Sequence, residues 1–191
     1  LWTDQFDREV TAETLFDIQS DIARQVAGQL ATELSPSDPA ALDQEPPSED
    51  LAAIAAYNRA RQVAFTPGRG DEFGDAVELA ERAVELDPEF VDAWAFLARL
   101  RSVQARVGEA DRGLASDAVQ RAESLAPDGV QAITARAYFT YYVEQDFAAA
   151  LDQMREAERL APSDVDVISG IAYLQRRLGR WDEALASMQR A

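Results

Sequence analysis

The 191-residue chain carries 35 acidic and 18 basic side chains, with no His and no Cys, and a formal net charge of -17 at pH 7. All the basic residues are Arg, so thiol, imidazole and Schiff-base chemistry, disulfides, and Cys- or His-based metal sites are excluded. An apolar share of 47% is that of an ordinary folded protein, while a pI near 4.3 repels nucleic acid and anionic lipid. The expectation is therefore a non-enzymatic chain with no catalytic residues, no metal and no cofactor. It is expected to be cytoplasmic, without nucleic-acid partners or membrane contact.

The first 34 residues form the first element. Leu1, Trp2 and Phe6 stand in an arm or strand of imperfect alternation, and Glu13 to Leu34 spaces Leu15, Ile18, Ile22, Val26 and Leu30 three and four apart. That spacing predicts one amphipathic helix. Its apolar stripe needs cover, so the segment is expected to pack on the first repeat or form a homodimer through residues 1–34, with Trp2 and Phe6 buried. Residue 1 is Leu, and no charged-then-apolar leader follows it, so the chain reads as a fragment or processed product. Residues 35–50, with Pro36, Pro39, Pro46 and Pro47 and a run of acids, read as a linker.

From residue 51 on, the chain repeats the frame Ala-x3-apolar-x2-Ala-x4-Pro. The copies are Ala76, Ala80, Ala83, Pro88; Ala115, Val119, Ala122, Pro127; Ala150, Met154, Ala157, Pro162; and Ala184, Met188, Ala191. An aromatic residue precedes the first Ala by three as Phe73, Phe147 and Trp181, with Arg112 in the remaining copy. Prolines 39 and 35 residues apart set a unit of about 34 with insertions. Each unit reads as two helices, A and B, with units at about 51–90, 91–129, 130–164 and 165–191. Roughly five extra residues near Val107 to Arg112 predict a longer A helix in the second unit. Leu178-Gly179-Arg180 predicts a reversal through a left-handed glycine. Trp94, Leu97, Ala98, Ala115, Ala150, Ile171 and Ala184 are expected to be buried, as are Trp181, Met154 and Met188. The acids Asp71, Glu72, Asp75 and Glu78 read as a solvated helix start.

Trp94-x2-Leu97-Ala98, the Ala frames and the triplets Leu86-Asp87-Pro88, Leu125-Ala126-Pro127 and Leu160-Ala161-Pro162 resemble the tetratricopeptide repeat family. The resemblance implies an all-α helix-turn-helix solenoid wound as a right-handed superhelix, which binds protein on the concave face of its A helices. The last unit stops short of its proline, which implies that the natural protein continues. Leu1-Trp2-x3-Phe6-Asp7-Arg8 and the following helix are similar to the end of a TolB-like domain, such as precedes these repeats in some bacterial adenylate cyclases and winged-helix regulators. That likeness implies the regulatory arm of a larger signalling protein, and a short N-terminal arm and helix left from a truncated preceding domain.

One step round from the packing stripe, the A helices carry Tyr57, Arg61, Arg99, Arg136, Phe139, Tyr142, Tyr173, Arg176 and Arg177. Arginines among aromatic rings on an acidic chain suit an acidic or carboxylate-bearing peptide. The plainer reading is that these arginines pair with acids on adjacent helices and the tyrosines fill gaps. A small anionic ligand is the alternative to a peptide. The chaperone-type carboxylate clamp is not expected, because Tyr57, Phe96 and Ala132 stand where it needs polar or cationic groups.

Overall fold

Two helices approach closely only where their facing side chains are small, and the repeat frame puts alanine at those crossings. In the computed structural model the described residues are Thr11, Thr14, Ile18, 46–65 and 72–191. Among them the helices are α1 (Leu51–Ala64), α2 (Glu72–Leu86), α3 (Val91–Val107), α4 (Arg112–Leu125), α5 (Val130–Phe139), α6 (Phe147–Leu160), α7 (Val165–Arg177) and α8 (Trp181–Arg190). They pack in succession as the helix-turn-helix pairs α1–α2, α3–α4, α5–α6 and α7–α8, an all-α solenoid. Ala76, Ala80, Ala83, Ala115, Val119, Ala122, Ala150, Met154 and Ala157 are fully buried at the crossings. The arm and helix expected over residues 1–34, with Trp2 and Phe6, and most of the linker lie outside the described residues.

Local chemistry sets the helix ends. Asp50, Asp111, Asp146 and Asp164 precede α1, α4, α6 and α7, and each carboxylate accepts backbone N–H groups of the first turn. The end of the linker is tied down as well: Ser48 is buried and its hydroxyl donates to Asp87 at the close of α2. Gly108, Gln145 and Gly179, each with positive φ, reverse the chain after the A helices α3, α5 and α7. Gln145 does so at a φ that favours glycine or asparagine.

The departures from a 34-residue unit are absorbed inside the A helices. The α3 helix has 17 residues against 13 in α7, about one further turn. The α5 helix runs on through a π-helical turn, Thr140–Glu144. A π turn widens the helix by one residue, the length by which this unit exceeds 34. The carbonyl of Val143 in that turn accepts from the guanidinium of Arg112, the residue that replaces the aromatic of the other copies.

Three of the expected burials differ. Trp94 is half-buried, because its indole N–H donates to the Pro88 carbonyl at 3.0 Å and holds the ring at the hairpin edge. Trp181 and Met188 are exposed, at 66% and 47%. The counterparts of Met188 on earlier B helices, Ala80, Val119 and Met154, are buried with a further hairpin packed beyond them, whereas no described element follows α8. Met154, which does have that neighbour, is fully buried as expected.

Candidate functional site

The A helices α1, α3, α5 and α7 each turn one polar-aromatic stripe to a common face. On α1 and its C-cap, steps of four give Tyr57, Arg61 and Phe65; on α3, steps of four and three give Asp92, Phe96, Arg99 and Val103. The α5 stripe is Gln131, Thr134, Tyr138 and Tyr142, and α7 contributes Asp166, Gly170 and Tyr173. Between them lie two adjoining clefts that share Phe96, Arg99 and Tyr138 as a wall.

The larger cleft, about 400 Å³, is lined by Phe65, Phe73, Phe96, Leu100, Tyr138, Tyr141, Tyr142, Tyr173 and Leu174 together with Arg99 and Arg176. The Arg99 guanidinium carbon lies over the Tyr138 ring at 4.3 Å and over the Phe65 ring at 5.0 Å. Arg176 lies over Tyr173 at 5.4 Å. Such stacking holds a cation in place through the ring quadrupole without neutralising it. Among the described residues neither arginine joins an ion pair, whereas Arg61, Arg82, Arg101, Arg136, Arg155, Arg180 and Arg190 all do. Arg59, Arg106, Arg112, Arg121, Arg159 and Arg177 also lack carboxylates, but they line neither cleft, and Arg112, Arg121 and Arg177 donate to the Val143 and Pro88 carbonyls and the Tyr141 hydroxyl. Burial pushes the Tyr138 hydroxyl up to about 12 and raises that of Tyr142 as well, so both stay protonated donors at neutral pH.

Gly170 shapes the floor of this cleft. A Cβ there would stand 3.0 Å from the terminal methyl of Met154 and 3.4 Å from the Tyr138 hydroxyl, so its absence lets the tyrosine reach across α7. The π turn has a matching role on α5, where it delivers Tyr141 and Tyr142 side by side with ring centroids 4.5 Å apart.

The smaller cleft, about 110 Å³, is acidic and largely self-paired. Asp92 accepts from Gln131 at 3.2 Å, Asp164 caps α7, and Asp166 pairs with Arg61 at 2.8 Å. The Arg61–Asp166 pair joins the first A helix to the fourth across 105 residues of sequence, and so narrows the concave face. Burial raises the Asp92 carboxyl above its ordinary value, with the Gln131 hydrogen bond opposing the shift, and it pushes Tyr57 up to about 12.

The structure thus brings Tyr57, Arg61, Arg99, Tyr142, Tyr173 and Arg176 to one face and sends three expected groove residues elsewhere. Arg136 is committed to Glu123 by two bonds of 2.9 and 2.8 Å, beside a third recess with Ile133, Gln153 and Leu160. Phe139 is buried in the core with Ala132, Ala135 and Val143. The physical reason is a rotation by one residue: on α5 that set, at spacings of three and four, is the packing stripe, and Tyr138 and Tyr142 lie beside it. Arg177 sits behind the cleft, where its Nε–H donates to the Tyr141 hydroxyl at 3.1 Å and its guanidinium lies over Phe147. Phe65, Phe96, Tyr138, Tyr141 and Gly170 were not expected. The four-residue steps from Arg61 to Phe65 and from Tyr142 back to Tyr138 were the signal for two of them.

Among the described residues no group of three or more acidic side chains is arranged to hold a metal ion, and no helix is long and apolar enough to cross a membrane. No family profile and no curated protein matches the sequence. Similar solved structures include a crystal structure of MamA, 15% identical with a TM-score of 0.42, covering 92% of this chain and 85% of that one. MamA from Desulfovibrio magneticus RS-1 is 14% identical with a TM-score of 0.42, covering 90% and 92%. MamA AMB-1 is 19% identical with a TM-score of 0.41, covering 95% of each chain.

Proposed function

We propose that this chain is a non-catalytic protein-binding module whose concave face takes an acidic or carboxylate-bearing segment. The observation that carries this reading is the pair Arg99 and Arg176, set against aromatic rings in one cleft and lacking carboxylate partners in a chain of net charge -17. Most of the other described arginines are committed to a carboxylate, a backbone carbonyl or a side-chain oxygen. One stacked on rings instead keeps its forked donors for a ligand. On this reading the groove comprises Tyr57, Arg61, Arg99, Tyr142, Tyr173 and Arg176, with Arg136, Phe139 and Arg177 as structural support. The resemblance of residues 1–34 to the end of a TolB-like domain supports a place in the regulatory arm of a larger bacterial signalling protein, in the cytoplasm.

A labelled octaglutamate peptide tests this by fluorescence anisotropy. Arg99→Glu with Arg176→Glu should weaken its binding and flatten the salt dependence, while the charge-matched control Arg82→Glu with Arg190→Glu should not. Equal loss in both double variants would reduce the effect to net charge and sink the site.

A second reading has its own observation. The Arg61–Asp166 pair spans the concave face, and a cleft of about 400 Å³ falls at the small end of ligand pockets. A small anionic ligand fits that geometry as a sensor module for an upstream domain would require.

A further inference from the structure

The larger cleft combines two demands that a purely acidic ligand meets only in part. Beyond its two arginines, its walls are rings and aliphatic chains: Phe65, Phe96, Leu100, Val103, Tyr138 and Leu174. Several of the rings lining the cleft already meet edge to face or tilted, with Tyr141 and Tyr142 at 4.5 Å and Phe65 and Phe96 at 6.0 Å, and they leave the concavity between them unfilled. A carboxylate alone would satisfy Arg99 and leave this apolar surface wet. An aromatic group alone would cover the walls and leave the half-buried Arg99 desolvated without an anion, which low dielectric penalises.

We infer that the cleft recognises an aromatic ring joined through a short link to a carboxylate, the ring seated against Phe65, Phe96 and Leu100 and the carboxylate on Arg99. This rests on the anion-binding reading above and narrows it to an aromatic acid. Arg99 is the specificity-determining residue, because it borders both clefts and is oriented by Tyr138 from one side of the concave face and Phe65 from the other. Tyr138 and Tyr142 supply protonated hydroxyls that can donate to the second carboxylate oxygen. The shared chemistry has two sources: an acidic peptide segment with an aromatic residue, or a free aromatic acid.

Isothermal titration of the whole chain separates them. The probes are 3-phenylpropionate, its amide, and hexanoate, together with the blocked tripeptides Glu-Phe-Glu, Glu-Ala-Glu and Gln-Phe-Gln. The expected result is saturable binding of 3-phenylpropionate and Glu-Phe-Glu, with the other four at least about tenfold weaker. Arg99→Gln should lose about tenfold for both binders, Arg99→Lys should recover part of it, and Arg82→Gln should be unchanged. Circular dichroism of each variant reports whether the helices remain. Equal binding of Glu-Ala-Glu would overturn the inference and leave the acidic groove standing. Equal binding of Gln-Phe-Gln or the amide would overturn both, since the cleft would then be merely apolar. Binding of 3-phenylpropionate without either peptide supports the inference and assigns the ligand to the free-acid source. Failure of all six probes would overturn it.

Discussion

The two clefts of the concave face share a wall yet treat their arginines in opposite ways. In the smaller one Arg61 is spent on Asp166, and Asp92 on Gln131, so away from the shared wall these charges are answered within the fold. In the larger one Arg99 and Arg176 rest on rings, and no carboxylate of the described residues meets them. The difference teaches that a count of charges says little about a binding face. What matters is whether each charge is neutralised within the fold or only held in place. An ion pair answers its own field, while a cation stacked on a ring keeps its field pointed outward.

The most drastic way to break this contrast is to remove the shared wall. Tyr138→Ala should merge the clefts and destabilise the fold by about 2–3 kcal/mol, read by urea unfolding, because a largely buried ring leaves a cavity. Arg112→Ala acts on one side only. Losing its bond to the Val143 carbonyl should cost ~1 kcal/mol and loosen the π turn that presents Tyr141 and Tyr142. Binding of 3-phenylpropionate should fall, while the Arg61–Asp166 pair is untouched.

The contrast sharpens in a double-mutant cycle. Arg61→Ala and Asp166→Ala should couple by about 0.2–1 kcal/mol, screened by salt, as half-exposed pairs do. Arg99→Gln, which abandons no carboxylate but loses its stacking on two rings, should cost about 0.5–1 kcal/mol with little dependence on salt. The smallest effect is a pH dependence. Burial raises the folded-state carboxyl of Asp92 above its ordinary 3.8, so the folded chain holds its proton longer than the unfolded chain does. Its contribution to stability therefore falls as pH rises through the window just above that value. Asp92→Asn keeps the Gln131 hydrogen bond, should remove that slope, and should stabilise the chain at neutral pH by a fraction of a kcal/mol. A thermal melt series between pH 4 and 7 checks it.

Much of the architecture was legible from residue order alone. Alanines at fixed spacing, closing prolines and Gly179 state where helices cross and where they turn, since both are set by side-chain size and backbone freedom within a few residues. The longer α3 was legible as well, as a surplus of residues in that unit. Tertiary structure decided the rest. Whether Met154 and Met188, at equivalent places, are buried depends on whether another hairpin lies over them. The stripe of α5 that faces the groove depends on a rotation of about 100° per residue, so an error of one position exchanged Tyr138 for Phe139. And only the curvature of the whole array could bring Arg61 to Asp166, or set Arg99 between rings from two other helices, because those distances sum over every packing angle in between.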